Sequence, residues 1–201
     1  MSKMMSENER QQRLYCTPSH VTKALLKRER FPGSIWEPAA GKGHIVDVLQ
    51  QCACHDVRAT DINDWGFALD AIEDFLTSTH RADCIITNPP YHSKFDFLAQ
   101  AKRLARRKIA MLMPVDMETT MTFVRHHQRD HDFPLKAIYG LPQAIPWENV
   151  TGTWGKQKHA WFVFERGYRG QVLREQIVFQ RNKTICRGKR AALVTKEQVD
   201  D

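Results

Sequence analysis

A short apolar run that ends in a proline turn constrains this sequence most. The run Ala82–Thr87 is largely apolar, and the tetrapeptide Asn88-Pro89-Pro90-Tyr91 follows it directly. An apolar run closed by two prolines predicts a buried strand that ends in a rigid turn. In open α/β sheets, ligands bind at the carboxyl ends of the strands. We therefore expect a binding site at this turn, although Asn and Pro are also common in turns without a function.

The turn supplies two hydrogen-bond acceptors and an aromatic ring. Because proline fixes φ and lacks an N–H, the side-chain oxygen of Asn88 and the carbonyl of Pro89 can point into one pocket. An exocyclic amine with two hydrogens would satisfy both acceptors. The ring of Tyr91 would then lie against the flat face of the base that carries this amine.

This tetrapeptide resembles the catalytic motif of amino-methyltransferases that use S-adenosylmethionine, above all the DNA adenine-N6 methyltransferases. The resemblance implies catalytic roles for Asn88, Pro89, Pro90 and Tyr91, and it also places Asn88 near the cofactor. The same motif occurs in methyltransferases that modify RNA adenines and glutamine side-chain amides. It therefore indicates the reaction better than the substrate.

A second informative stretch follows a predicted strand, Ile35 to Glu37, and precedes a predicted helix from about Ile45 to Cys52. Its glycines allow a ligand to approach the backbone closely. The Gly-x-Gly pattern alone is weak, because it lacks the third glycine of a dinucleotide site and the Lys-Ser/Thr of a P-loop. With the preceding Glu-Pro-Ala it resembles the methyltransferase cofactor loop. This resemblance implies cofactor contacts at Glu37, Pro38, Ala39, Gly41 and Gly43, with Glu37 on the methionine moiety.

Three more residues complete the expected cofactor site. Asp61 ends the next predicted strand, where an acid can accept hydrogen bonds from both ribose hydroxyls; Asp64 is its rival. In the resembled family, an Asp followed by Phe or Leu contacts the amino group of the cofactor's adenine. This selects Asp74 ahead of Glu73. A Thr-Pro turn there lies against the methionine end of the cofactor, which implies such a contact for Thr17.

The charge of the chain favours a polyanionic partner. The formal net charge is +7, which is typical of proteins that bind nucleic acid. The segment 166–201 carries +5 of this charge, and a second cluster of cations spans 102–108, where part of it can complement a helix dipole. A loop from Pro142 to Lys158 holds two tryptophans that either close the base pocket or fill the core. The residues expected to bind the substrate are Tyr91, Lys94, Arg106, Arg107, Trp147 and Trp154.

The periodicity predicts one α/β domain at 13–185, after a disordered leader at 1–12 and before a frayed basic tail at 186–201. We expect a Rossmann-like, mostly parallel sheet with a C-terminal antiparallel hairpin, as in class I methyltransferases. The hairpin would pair His159–Glu165 with 176–181. The other expected elements are a helix from Val21 to Arg30 capped by Thr17 or Ser19, helices at 93–107 and 117–129, and strands at 56–62, 108–115 and 135–141.

Several classes of protein are not expected. No apolar run approaches 18 residues and no signal-like segment opens the chain, so we expect an intracellular protein without membrane contact. Five cysteines without a CxxC pair are typical of free thiols, and His126, His127 and His131 fit a solvated helix end better than a metal site. The small size, with no room for a separate target-recognition domain, resembles phage- or prophage-borne DNA methyltransferases.

Three functions remain open at this point. The first is methyl transfer from S-adenosylmethionine to the N6 amine of adenine in DNA. The second is the same chemistry on RNA or on a protein glutamine, of which the basic tail disfavours the protein. The third is a catalytically silent module that binds nucleic acid or cofactor, which the intact Asn88, Pro89 and Tyr91 disfavour.

Overall fold

A computed structural model of the chain describes residues 14–52, 56–126, 130–143, 145 and 157–178. These residues form an eight-stranded sheet with helices packed on both of its faces. The strands are β1 Ile35–Glu37, β2 Val57–Asp61, β3 Ala71–Ile72, β4 Ala82–Thr87, β5 Ala105–Pro114, β6 Leu135–Leu141, β7 His159–Glu165 and β8 Leu173–Gln176. The helices are α1 Ser19–Leu26, α2 His44–Gln51, α3 Lys94–Leu104 and α4 Met121–His126, with 3-10 turns at Tyr91–Ser93 and Val115–Thr119.

The strand order is β3-β2-β1-β4-β5-β7-β6-β8. The first five strands in this order pair in parallel, whereas β7 runs antiparallel between β5 and β6. The sheet order reverses direction between β1 and β4, and a reversal of this kind opens a crevice at the carboxyl ends of the strands. The predicted Rossmann-like α/β sheet with antiparallel strands near the C-terminus is confirmed.

The central strands are buried on both faces, which explains their nearly continuous apolar sequences. In β5, Ile109, Met111 and Met113 pack on the face covered by α3, while Ala110 and Leu112 pack on the face covered by α1 and α2. Strand β7 alternates in the same way, and its Trp161 is completely buried. A sheet held in this way on both faces is a rigid base for the loops at its carboxyl edge.

Several predicted boundaries were wrong. Helix α3 ends at Leu104 and not near Arg107, because Ala105 pairs with Ala82 and begins β5. The helix predicted from Met117 to Arg129 is a 3-10 turn followed by the short α4, and 127–129 lie outside the described residues. Helix α1 ends at Leu26, four residues before the predicted end.

The predicted caps of α1 and the predicted partner of β7 were also wrong. The residue before α1 is Pro18, and no side chain caps this helix end, so neither Thr17 nor Ser19 has that role. The antiparallel partners of β7 are β5 and β6. Because these two strands occupy both edges of β7, β8 pairs with the free edge of β6, and it does so in parallel.

Some predictions concern parts of the chain that the structure does not describe. The leader at 1–12, both Trp147 and Trp154, and the tail at 186–201 lie outside the described residues. Within the described ranges, none of the helices has the length and apolar character needed to cross a membrane. In the same ranges, no three His, Cys, Asp or Glu side chains are grouped closely enough to hold a metal ion.

Candidate functional site

A cavity of about 480 Å³ opens at the carboxyl edge of the sheet. Volumes of this order are typical of sites for small molecules. It lies where β1, β2 and β4 end, as the strand order requires. The structure brings together here seven of the residues predicted from sequence, namely Pro38, Ala39, Asp61, Asp74, Asn88, Pro89 and Pro90. A smaller cavity of about 20 Å³ shares some of these walls and is lined by Thr17 and Gly41.

The Asn88 amide is held in one orientation. Its Nδ2 donates hydrogen bonds to the carbonyl oxygen of Tyr15 at 3.2 Å and to the hydroxyl of Thr17 at 3.1 Å. Its Oδ1 is buried and has no hydrogen-bond partner among the described residues. A reversed amide would set Oδ1 against the Tyr15 carbonyl oxygen, which cannot donate. The contacts therefore identify the unpartnered atom of this buried amide as an acceptor and not a donor.

A buried polar atom without a partner is rare, because it costs roughly 1–3 kcal/mol. The Asn88 oxygen is such an atom, and it lies on a residue that lines the cavity. Thr17 is 3% exposed and its hydroxyl is engaged by Asn88. The contact between Thr17 and the cofactor stays a prediction, but the structure adds a role in orienting Asn88.

Asp61 is fixed by the backbone around it. Its Oδ2 accepts a hydrogen bond from the Gly41 amide at 2.9 Å. Its Oδ1 accepts bonds from the Asn63 amide at 2.9 Å and from the Trp65 indole at 3.1 Å. A carboxylate has about four acceptor positions, so roughly one remains for a ligand, fewer than the two expected ribose hydroxyls require. The rival Asp64 is exposed and bonds to Gly66.

The structure also distinguishes Asp74 from Glu73 by their positions. Asp74 lines the cavity, and its Oδ1 accepts a hydrogen bond from the Leu76 amide at 2.9 Å. Glu73 instead forms an ion pair with Arg58 at 3.0 Å and accepts a hydrogen bond from Ser78. Of these two neighbouring acids, only Asp74 has its side chain in the wall of the cavity.

Sequence reasoning missed several apolar residues of the cavity wall. Ile62, which is 61% exposed, and Leu76, which is 36% exposed, both line it beside the two acids. Large apolar side chains with this exposure are suited to the faces of a planar ring. The sequence does place Ile62 directly after Asp61 and Leu76 two residues after Asp74, and this proximity to the two acids could have indicated that they line the cavity. The cavity thus combines apolar walls with carboxylates at its rim.

The loop that contains Gly41 and Gly43 joins β1 to α2. Gly43 has φ of 79° and precedes α2, and a Cβ at this position would overlap the ring of Phe67. Gly41 also has positive φ, and its amide is bound by Asp61. Only glycine adopts such a backbone without strain. Gly41 lines the smaller cavity, whereas glycine at position 43 leaves room for the ring of Phe67.

Glu37 is completely buried and lies outside the lining of both cavities. Its Oε1 accepts a hydrogen bond from the Ala39 amide at 3.1 Å. Burial raises the pKa of Glu37 to about 8; Thr87 and the Ala39 amide oppose this shift, and the charge of Asp61 adds to it. Its contact with the methionine moiety stays a prediction.

Tyr91 lies in an aromatic cluster. Its ring centroid is 5.9 Å from that of Tyr15, with the two planes nearly parallel, and 5.4 Å from that of His159. Burial raises the pKa of the Tyr91 hydroxyl. Burial also lowers the pKa of His159 to about 4, so this ring is neutral. His159 lies at the start of β7, and no pattern in the sequence indicated its contact with Tyr91. The stacking of Tyr91 on a base stays a prediction.

The three cations predicted to bind the substrate lie in different places. Lys94 begins α3 beside the turn at Asn88–Tyr91, and its Nζ donates a hydrogen bond to the Tyr91 carbonyl at 3.1 Å. Arg106 and Arg107 lie at the amino end of β5, where the helix after β4 has returned to the amino edge of the sheet. They are therefore at the edge of the sheet opposite the cavity.

No family model matches the sequence, and no curated protein does. A proposed RNA methyltransferase from Pyrococcus horikoshii is 16% identical, with a TM-score of 0.58 over 72% of this chain and 79% of that one. The M protein of the type I restriction enzyme EcoKI is 18% identical, with a TM-score of 0.52 over 77% of this chain and 44% of that one. Magnesium protoporphyrin IX methyltransferase from Synechocystis, solved with S-adenosylmethionine, is 13% identical, with a TM-score of 0.50 over 73% of this chain and 76% of that one. Identities this low show the fold alone, and this fold is the Rossmann-like class I methyltransferase fold.

Proposed function

We propose that this protein transfers a methyl group from S-adenosylmethionine to the exocyclic N6 amine of adenine in DNA. The observation that carries this proposal is the Asn88 amide. Its nitrogen is bound by Tyr15 and Thr17, while its buried oxygen has no partner among the described residues. An amine N–H is a donor that fits this oxygen.

The cavity walls fit the proposed cofactor. Asp61 has acceptor capacity for a ribose hydroxyl, and Asp74 can accept a hydrogen bond from an adenine amino group. Ile62 and Leu76 supply apolar contacts for the faces of the adenine ring. When bound, S-adenosylmethionine supplies an electrophilic methyl group on its sulfonium. The remaining catalytic work falls to residues of this chain.

An aromatic amine is a weak nucleophile, because its lone pair is delocalised into the ring. The Asn88 oxygen and the Pro89 carbonyl would accept hydrogen bonds from the two amine hydrogens. This favours a pyramidal nitrogen with its lone pair directed at the methyl group. As the bond from nitrogen to the methyl carbon would form, the bond from that carbon to sulfur would break, S-adenosylhomocysteine would leave, and the amine would release one hydrogen to water as a proton. Because alignment and fixed dipoles supply most of the rate enhancement, the proposed reaction needs no covalent intermediate.

The test of this assignment is Asn88→Ala. Turnover should fall by about 100-fold or more, the magnitude expected when a positioned polar group is lost from the reacting atoms. The dissociation constant of S-adenosylmethionine, measured by calorimetry, should change by less than about threefold, since Asp61 and Asp74 remain. Proportional losses of turnover and cofactor affinity would contradict the catalytic role of Asn88.

RNA adenine is the second candidate substrate. It is favoured by the similarity in fold to the proposed RNA methyltransferase from Pyrococcus horikoshii. Adenine carries the same amine in DNA and in RNA, and the two differ at the 2′-hydroxyl of the sugar. The acceptors of the described site therefore fit either substrate. Identifying the labelled nucleoside after reaction with DNA and RNA in parallel separates the two candidates.

A further inference from the structure

A groove at the amino edge of the sheet, opposite the cavity, is lined mainly by cations. It has a volume of about 430 Å³, and its charged lining residues are Arg30, Arg106, Arg107, Lys108, Arg166 and Glu165. Strand β5 begins here and the antiparallel β7 ends here, which brings these residues together from distant parts of the sequence. Two of them, Arg106 and Arg107, were expected at the cavity.

Part of this charge is already neutralised. Glu165 pairs with Lys108 at 3.1 Å and with Lys136 at 2.8 Å. Arg107 lies 3.5 Å from Asp83, and Arg166 pairs with Asp132 and donates to backbone carbonyls.

Two arginines keep their full charge for a partner. Arg30 and Arg106 are exposed, and neither forms an ion pair within the described part of the chain. Arg81, directly before the neighbouring β4, is likewise exposed and adds a cation at the same edge. One guanidinium group can bind two oxygens of a phosphate through two parallel hydrogen bonds. Exposed arginines spread along one edge fit a chain of phosphates better than a single small anion.

We propose that this groove binds the phosphate backbone of nucleic acid at a point distant from the reacting base. The sheet register sets the distance, because Thr87 pairs with Met111 and Ala82 with Ala105. Asn88 therefore lies roughly 20 Å from Arg106 along the strands, at about 3.3 Å per residue. The groove would contact another part of the same nucleic acid, or a second segment. The identity of this polyanion rests on the proposed function.

The test compares Arg30→Gln, Arg106→Gln and their double variant with wild type. The control is Lys23→Gln, which removes the same charge from an exposed position of α1 outside the groove. Affinity for a fluorescent DNA duplex of about 200 base pairs is measured across a salt series. Each groove variant should reduce the slope of log affinity against log salt by about 1, and the double variant by about 2, because one phosphate contact is lost with each arginine.

Methyl transfer to a trinucleotide with adenine at its centre, which is too short to span the roughly 20 Å between Asn88 and Arg106, should be unchanged in the groove variants. Slopes that match wild type, or a loss equally large in Lys23→Gln, would overturn the inference. So would arginine-dependent binding to phosphatidylserine vesicles that is tighter than binding to DNA. If neither wild type nor any variant transfers methyl groups but the slopes still fall as expected, binding of DNA by the groove is supported and the proposed function is contradicted.

Discussion

The hydrogen bond between Asn88 and Thr17 allows the sharpest single test of the site. In Thr17→Val the side chain keeps its shape and loses the oxygen that accepts the Asn88 Nδ2 hydrogen at 3.1 Å. Thr17 is 3% exposed, so water does not readily replace this oxygen. One hydrogen of the Asn88 amide is then left unpaired, at a cost of roughly 1–3 kcal/mol.

This cost loosens the orientation of Asn88 without reversing it, because the bond to the Tyr15 carbonyl remains. At 1.36 kcal/mol per tenfold change, a loss of this size in the transition state corresponds to a decrease in kcat of roughly 5-fold to 160-fold. The affinity for S-adenosylmethionine should change by less than about twofold, because the carboxylates of the cavity are untouched. Thr17→Ser, which keeps the hydroxyl, should retain most of the activity.

The assay is single-turnover methyl transfer at saturating cofactor, combined with a calorimetric titration of the cofactor. Thr17→Val with the kcat of wild type would refute the orienting role. A fall in cofactor affinity that accounts for the whole loss of activity would also refute it. That second result would instead support the contact with the cofactor that the sequence predicts for Thr17.

Three further predictions concern the acids and the loop that contains Gly41 and Gly43. Asp74→Asn should weaken S-adenosylmethionine binding by roughly 10-fold to 100-fold in calorimetry, because a charged acceptor is lost, whereas Glu73→Gln should leave the affinity unchanged. Burial raises the pKa of Glu37 to about 8, so between about pH 4.5 and pH 8 the folded state keeps a proton that the unfolded state releases. The free energy of unfolding, measured by urea titration, should therefore fall as pH rises from about 4.5 to about 8. Glu37→Gln should flatten this dependence. Gly43→Ala should lower the free energy of unfolding by more than Gly66→Ala, since both have positive φ but only the Cβ at Gly43 meets a neighbouring ring; equal losses would show that backbone strain alone of about 1–3 kcal/mol is responsible.

The sequence predicted the parts of the site that depend on local pattern. An apolar strand, the proline turn after it and the glycine loop all follow from residues adjacent in the chain, and the strands 82–87, 135–141 and 159–165 have the predicted bounds. The order of these elements was enough to predict which edge of the sheet holds the cavity. Asn88 and Pro89 accordingly line this cavity.

The remaining features depend on contacts between distant segments. The end of α3 is set by pairing of Ala105 with Ala82, which the helical pattern of the preceding residues could not reveal. Arg106 lies at the edge opposite the cavity because the helix that follows β4 returns to the amino edge of the sheet before the parallel β5 begins. In the same way, the orientation of the Asn88 amide depends on Tyr15 and Thr17, more than 70 residues earlier in the chain.

The most direct test of the central claim is a methyl-transfer assay with radiolabelled S-adenosylmethionine. Purified protein and the Asn88→Ala variant are incubated separately with duplex DNA, single-stranded DNA, RNA and a protein extract, and the labelled nucleoside or residue is identified. The account predicts label in N6-methyladenine from DNA with wild type, and a rate of labelling lower by about 100-fold or more with Asn88→Ala. Absence of label from every substrate, with S-adenosylmethionine still bound by the wild-type protein, would contradict it.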